Sequence, residues 1–198
     1  MKDRIIQYGI WGIVRMSVNL IRTRIFYSKA RIIRFPFDIR GSKFINFGKG
    51  FTCGPGCRLE AYPQQNERVL FFGNNVQLND YVHITAMKKV FIGNNVLLAS
   101  KIYISDCSHG SYAGNTDDSH PDISPNKRQL FAKPVVIEDN VWLGEFVSVL
   151  PGVTIGKGTI VGANSVVSKS LPPYVIAVGA PAKPIKKFNF SIKMWERI

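Results

Sequence analysis

His109 closes the short tract Asp106-Cys107-Ser108-His109-Gly110. An imidazole is the side chain best suited to take a proton from a weak nucleophile near neutral pH. The tract opens a long interruption in an otherwise regular chain. Residues 105–134, SDCSHGSYAGNTDDSHPDISPNKRQLFAKP, are rich in Ser, Asp, Asn, Gly and Pro. An excursion of this length from a compact fold is typically functional or disordered. The other histidines are placed less suggestively: His83 falls inside the regular pattern and reads as a wall residue, and His120 lies deep in the excursion. Three cysteines, Cys53, Cys57 and Cys107, form neither a CxxC pair nor a set with histidine at metal-ligand spacing. That predicts no disulfide framework and no zinc site, small wall or corner roles for the thiols, and a reducing compartment.

What positions His109 is a repeat. Ile137, Leu143, Val149, Ile155, Val161 and Val167 are spaced by six, as are Ile92, Leu98 and Ile104, and Phe72, Leu78 and Ile84. An earlier and weaker run is Ile39, Ile45, Phe51 and Cys57. Four residues after these sites come Val76, Val82, Val96, Ile102, Val141, Val147 and Val153, then Thr159 and Ser165. A period of six fits neither the 3.6 of a helix nor the alternation of a simple strand. It fits a chain that turns a corner every six residues, with about 18 residues closing one triangular coil of a parallel β-helix. Gly73, Gly93, Gly144, Gly156 and Gly162 then read as residues that permit the strained corners. The two-residue excess between Ile84 and Ile92 reads as a small bulge at one corner. Both open ends of such a stack need covering, which the N-terminal segment and the stretch after Lys169 can do.

Charge is divided along the chain. The net charge is +13, of which residues 1–50 carry +9 (eleven Lys/Arg against Asp3 and Asp38) and residues 183–198 carry +4 (five against Glu196). The body between them is neutral, so an anionic partner would be met by the ends. The body lacks the basic, aromatic-studded face of a nucleic-acid binder, and none is expected as a partner. The N-terminal stretch mixes Ile, Trp, Tyr, Phe and Val with regularly placed Arg, too apolar for a free helix; it must pack on the prism or lie in a membrane interface. No small-residue cleavage site follows it, and Arg15 and Arg22 interrupt its apolar runs short of the ~18 residues a span needs. A cytoplasmic protein, neither secreted nor membrane-spanning, is expected, with peripheral contact at the inner face of the membrane as one role for this segment.

Taken together, the hexads, the SDCSHG segment and VVIEDNVWLGEFVSVLPGVTIGKGTIVGANSVVSKSLPPYVIAVGAPAKPIKK resemble the hexapeptide-repeat acyltransferases of the maltose and galactoside O-acetyltransferase branch. IRFPFDIR, FGKGFTCGPG, QLNDYVHI, LLASKIYISD and WERI extend the resemblance to bacterial O-antigen polysaccharide O-acetyltransferases. The resemblance implies an all-β left-handed parallel β-helix: a basic N-terminal helical segment over residues 1–38, a catalytic β-helix over 39–170 with the inserted loop 105–134, and a C-terminal CoA-binding loop and closing segment over 171–198. It also implies a homotrimer with its sites in the grooves between neighbouring prisms. His109 matches the family's catalytic base, and Asn79 the asparagine that lines the acceptor pocket from the facing subunit. Trp142 matches the tryptophan beside the acyl-donor channel. Acetyl-CoA contacts carry over to Gly144, Ala163, Ser168, Lys169, Lys183 and Lys186. The chain departs from the pattern at Glu145, where a small residue is usual, and in using Lys where Arg is common in the tail.

The implied activity is O-acetyl transfer from acetyl-CoA, without a metal, to a sugar hydroxyl of a surface polysaccharide precursor, with a lipid-linked acceptor one form it would take. Direct transfer needs His109 as general base and a fixed donor for the thioester oxygen, for which a backbone N–H near Gly144 and Glu145 is the candidate. Asp106, or a backbone carbonyl of the same loop, is the candidate to orient the imidazole. Three rival readings remain: acetyl transfer to free sugars or amino sugars, a metal-dependent hydratase built on the same prism, and a non-catalytic membrane-associated scaffold.

Overall fold

The computed structural model describes residues 2–198, with side chains placed from Ile6 onward. A helical segment, α1 (Lys2–Phe26), kinked where the backbone leaves the helix at Gly9, precedes three sheets whose parallel strands follow one another in rotation. Wall A stacks Ile32–Ile33, Thr52–Cys53, Gln77–Leu78, Leu97–Leu98, Trp142–Leu143, Ile160–Val161 and Val175–Gly179. Wall B stacks Phe37–Arg40, Cys57–Ala61, His83–Ala86, Tyr103–Ser105, Ser148–Val149 and Val166–Val167. Wall C stacks Ile45–Asn46, Leu70–Phe72, Val90–Ile92, Val135–Ile137 and Thr154–Ile155. The chain is a three-sided parallel β-helix. Its first coil begins at Ile32, ahead of the boundary expected at residue 39, because Ile33 already occupies the inward hexad position.

The aliphatics spaced by six form the core. Ile84, Ile92, Leu98, Ile104, Ile137, Leu143, Val149, Ile155, Val161 and Val167 are all fully buried, as is the second series from Val76 to Val153. Where that series turns polar, the groups are paired: Thr159 donates to the Pro172 carbonyl and Ser165 accepts the Gly179 N–H. Both partners belong to the C-terminal segment, in which Ala182–Asn189 and Met194–Arg197 extend wall A as an antiparallel meander.

The corner glycines act differently from expectation. Left-handed conformations fall on Asn75, Asn95, Asn140 and Asn164, on Tyr81, Lys101, Phe146 and Tyr174, and on other glycines such as Gly50, Gly56, Gly152 and Gly158, but on none of the five glycines singled out by the repeat. Gly73 and Gly144 are required by close approach instead: a Cβ on Gly73 would come within 2.7 Å of the Gly93 backbone, and one on Gly144 within 2.7 Å of the Ala163 nitrogen. Coil stacking, not corner strain, excludes a side chain there.

The C-terminal half of α1 covers the first coil. Thr23, fully buried, accepts the Ile33 N–H (2.8 Å), and Asn19 accepts that of Phe35. Beyond the helix Tyr27 packs edge-on against Phe37 and Phe47. The other half leaves Ile6, Ile10 and Trp11 exposed.

Truncation of an inward residue should therefore cost far more than truncation of its outward neighbour. Leu143→Ala is expected to lose about 2–5 kcal/mol in denaturant unfolding, and Leu97→Ala, outward on the same wall, only a fraction of that.

Candidate active site

The excursion leaves wall B at the edge between walls B and C. Its root is a two-stranded hairpin, Cys107–His109 against Leu130–Ala132, with His109 directly opposite Leu130. The arm is ordered by its own polar groups. Arg128 donates to Tyr112 Oη and to the Ile123 and Pro121 carbonyls, Tyr112 donates to the His109 carbonyl, and Asp118 accepts the Ala113 and Gly114 N–H groups.

Asp106 does not orient the imidazole. Its side chain is fully buried, and its two oxygens accept the N–H groups of Met87, Lys88 and Lys89 at 2.7–2.8 Å. The tight corner at residues 87–89, which carries the two-residue excess seen in the sequence, needs those acceptors. Asp106 thereby fastens the arm's root to the coil below, and its carbonyl accepts Lys133 N–H where the arm returns. The His109 ring is exposed and makes no hydrogen bond to another described residue.

The remaining predicted residues fall on two edges. Ser168 and Lys169 follow the last strand of wall B and are exposed on the same edge as the arm. Asn79, Gly144 and Ala163 lie on the edge between walls A and B, where Asn79 N–H donates to Leu98 and Gly144 N–H to Val161. Since the Gly144 N–H is spent in the ladder, the oxyanion donor expected near it reduces to the Glu145 N–H, which has no partner among the described residues. On wall A, register aligns Leu97, Trp142, Ile160, Ile176 and Lys186 in one outward row, with Trp142 about half exposed. Lys183 lies on the same meander, opposite Val178. Between the two edges stands wall B, about five residues or roughly 15 Å wide at about 3.3 Å per residue.

Wall B carries a cluster the sequence reading missed. Glu60, almost fully buried, receives Arg40 and Arg58 at 2.9 and 2.6 Å and Tyr62 at 3.1 Å on one oxygen. The other oxygen meets His83 Nε2 at 2.8 Å and Thr85 Oγ1 at 3.1 Å. Burial alone would raise the Glu60 carboxyl; hydrogen bonds from His83, Arg58, Thr85 and Tyr62 outweigh it and hold the group at about 2. Glu60 and Thr85 are cross-strand neighbours. Their separation of twenty-five residues is not a multiple of six, so the hexad count hides the pairing. His83 is a wall residue, as expected.

Comparison with known proteins fits this geometry. The family model "Bacterial transferase hexapeptide (six repeats)" matches residues 134–169. The Escherichia coli K12 protein WbbJ, provisionally named a lipopolysaccharide biosynthesis O-acetyl transferase, is 49% identical over 191 residues, covering 96% of each chain. The chain belongs to the hexapeptide-repeat acyltransferases. A more distant member, the galactoside O-acetyltransferase of E. coli K12, is 34% identical over 61% of this chain and 55% of its own. A mutant of AntD, an N-acyltransferase from Bacillus cereus solved with dTDP-4-amino-4,6-dideoxyglucose and coenzyme A, superposes with a TM-score of 0.66 at 22% identity, covering 81% of this chain and 82% of AntD. The prism is thus the left-handed β-helix of the hexapeptide-repeat acyltransferases.

The Glu60 cluster gives this acyltransferase a specific acid response. A carboxylate with a lowered folded pKa adds stability that is complete above its unfolded value of about 4.5 and disappears as pH falls toward about 2. In denaturant titrations, the stability difference between wild type and Glu60→Gln should be constant above about pH 5 and close between about pH 4.5 and 2. A difference that does not change with pH would show that the carboxylate charge is not what the cluster uses.

Proposed function

We propose that this acyltransferase moves an acetyl group from acetyl-CoA to a sugar hydroxyl of a surface polysaccharide precursor, in sites formed between copies of the chain. The observation that carries the intersubunit part is the separation of the predicted residues onto two edges of one prism. His109 lies on one edge; Asn79, Gly144 and the Trp142 row lie on the other, across wall B. Within one chain these groups are too far apart to share a reacting centre. A threefold arrangement brings the arm of one copy to the opposite edge of its neighbour and makes three equal sites. Sequence likeness to WbbJ along nearly the whole chain supports the choice of acceptor.

Acetyl-CoA supplies the activated acyl group. The residues present suit it: the row Leu97, Trp142, Ile160 and Ile176 offers an apolar strip to the pantetheine arm, and Lys186 with nearby Lys183 supplies positive charge for the phosphates. Lysine holds a phosphate as a point charge, without the paired geometry of arginine.

The reaction needs no covalent enzyme intermediate. His109 accepts the proton of the sugar hydroxyl as its oxygen attacks the thioester carbonyl carbon. The carbonyl oxygen gains negative charge, which the Glu145 N–H of the facing copy stabilises. As the carbon–sulfur bond breaks, the imidazolium returns its proton to the departing thiolate, giving the acetyl ester and CoA. The imidazole has no intrachain partner holding it, so its orientation is set by the neighbouring copy or the substrates.

The exposed half of α1 fits an anionic membrane surface. Ile10 and Trp11 are exposed there, and Arg15 and Arg24 follow along the helix, while Arg22 lies over the Phe35 ring of the prism. Among the described residues no helix is long and apolar enough to cross a membrane, so the contact would be interfacial.

His109→Ala should lower kcat by about 100-fold or more while leaving CoA affinity within about twofold; a variant that retains wild-type turnover removes His109 from the chemistry. Wild type should co-sediment with phosphatidylglycerol-rich vesicles and be released by salt, while Trp11→Glu and pure phosphatidylcholine vesicles should both abolish binding. Equal recovery in the supernatant with either lipid would end the membrane reading.

A further inference from the structure

A hollow of about 360 Å³ opens beside the hairpin that carries His109. It arises from three successive corners of the edge between walls B and C. The first is the extended loop after Ala61, which carries Gln64 and Gln65; the third is the arm, which carries Gln129 and Leu130. The corner between them, at residues 87–89, is drawn in by its three hydrogen bonds to Asp106 and becomes the floor. Two long corners flanking a recessed one leave a trough open to solvent.

The lining is mixed, with Glu67, Lys88 and Phe131 beside three glutamines. Gln64, Gln65 and Gln129 are exposed, and none of their side-chain amides is engaged by another described residue. Each presents donors and an acceptor, the complement of vicinal hydroxyls. Met87 on the floor and Leu130 at the rim offer apolar surface to the carbon face of a sugar ring. Leu130 stands directly opposite His109, and opposed residues of an antiparallel pair project from the same face. The trough therefore adjoins the hairpin at Leu130, the residue paired with His109.

We propose that this trough is a subsite for the sugar unit adjoining the one that is acetylated, so that the acceptor is a saccharide of at least two residues. The volume, at the lower end of the about 300–1,000 Å³ common for small-molecule sites, suits a pyranose unit. The proposal rests on the acetyltransferase reading above, with His109 as the base. It adds that specificity for a chain over a free sugar resides in residues 64–65 and 129, outside the reacting centre.

The test compares a free monosaccharide with a di- or trisaccharide ending in the same residue, for wild type, the double variant Gln65→Ala/Gln129→Ala and the trough-filling Gln65→Trp. Wild type should favour the longer acceptor by about 10-fold or more in kcat/KM, the equivalent of two or so hydrogen bonds. Both variants should lose that preference through the oligosaccharide KM, with the monosaccharide kcat/KM and the acetyl-CoA KM unchanged within about twofold. Wild type that uses both acceptors equally, or variants that keep the preference, would overturn the subsite while leaving the acetyltransferase intact. Wild type that acetylates no saccharide of either length would overturn the underlying function, and the subsite with it.

Discussion

Backbone pairing between successive coils is the constraint on which everything else depends. Each strand is hydrogen-bonded in register to the strand one coil away, as Leu97 is to Gln77 on one side and Trp142 on the other. Positions that match within the repeat are thereby forced into columns. Inward columns become the aliphatic core, outward columns become continuous surface rows, and a Cβ at Gly73 or Gly144 would collide with the next coil. Each side chain's position around the prism is fixed by its place in the repeat. The chain then has freedom only where corners are lengthened.

The proposed base sits where that freedom is used. One edge carries the three departures from regularity: the loop after Ala61, the corner at residues 87–89 and the long arm. Asp106 joins two of them, spending a fully buried carboxylate on three backbone N–H groups. Loss of one such acceptor would leave backbone donors unpaired, which makes the aspartate structural at the root of the arm that carries the proposed base. The opposite edge of wall B stays regular, and on wall A beside it an unbroken row runs from Leu97 to Lys186, which suits the long, thin acyl donor proposed above.

Much of this was legible from residue spacing. The buried columns from Phe72 to Val167, the small corner between Ile84 and Ile92 and the long arm all fall where the period of six places or breaks them. Two kinds of feature were not. The Glu60 cluster depends on register across a corner of irregular length, which periodicity cannot count through. The role of Asp106 depends on where its carboxylate points, and proximity to His109 in sequence favoured the wrong partner. The corner glycines were also misread, because a glycine demanded by a neighbouring coil looks in sequence like one demanded by its own backbone angle. The division of the predicted site between two edges was present in the hexad numbering, yet it acquires meaning only once walls have a width.

That division is the centre of the account, and mixed assemblies test it most directly. His109→Ala and Asn79→Ala should each be nearly inactive alone. Unfolded or dissociated together and reassembled, they should regain a substantial fraction of wild-type turnover, because some interfaces then combine an intact His109 from one copy with an intact Asn79 from its neighbour. If co-assembled copies stay as inactive as the separate variants, the reacting groups come from one chain and the intersubunit site is wrong.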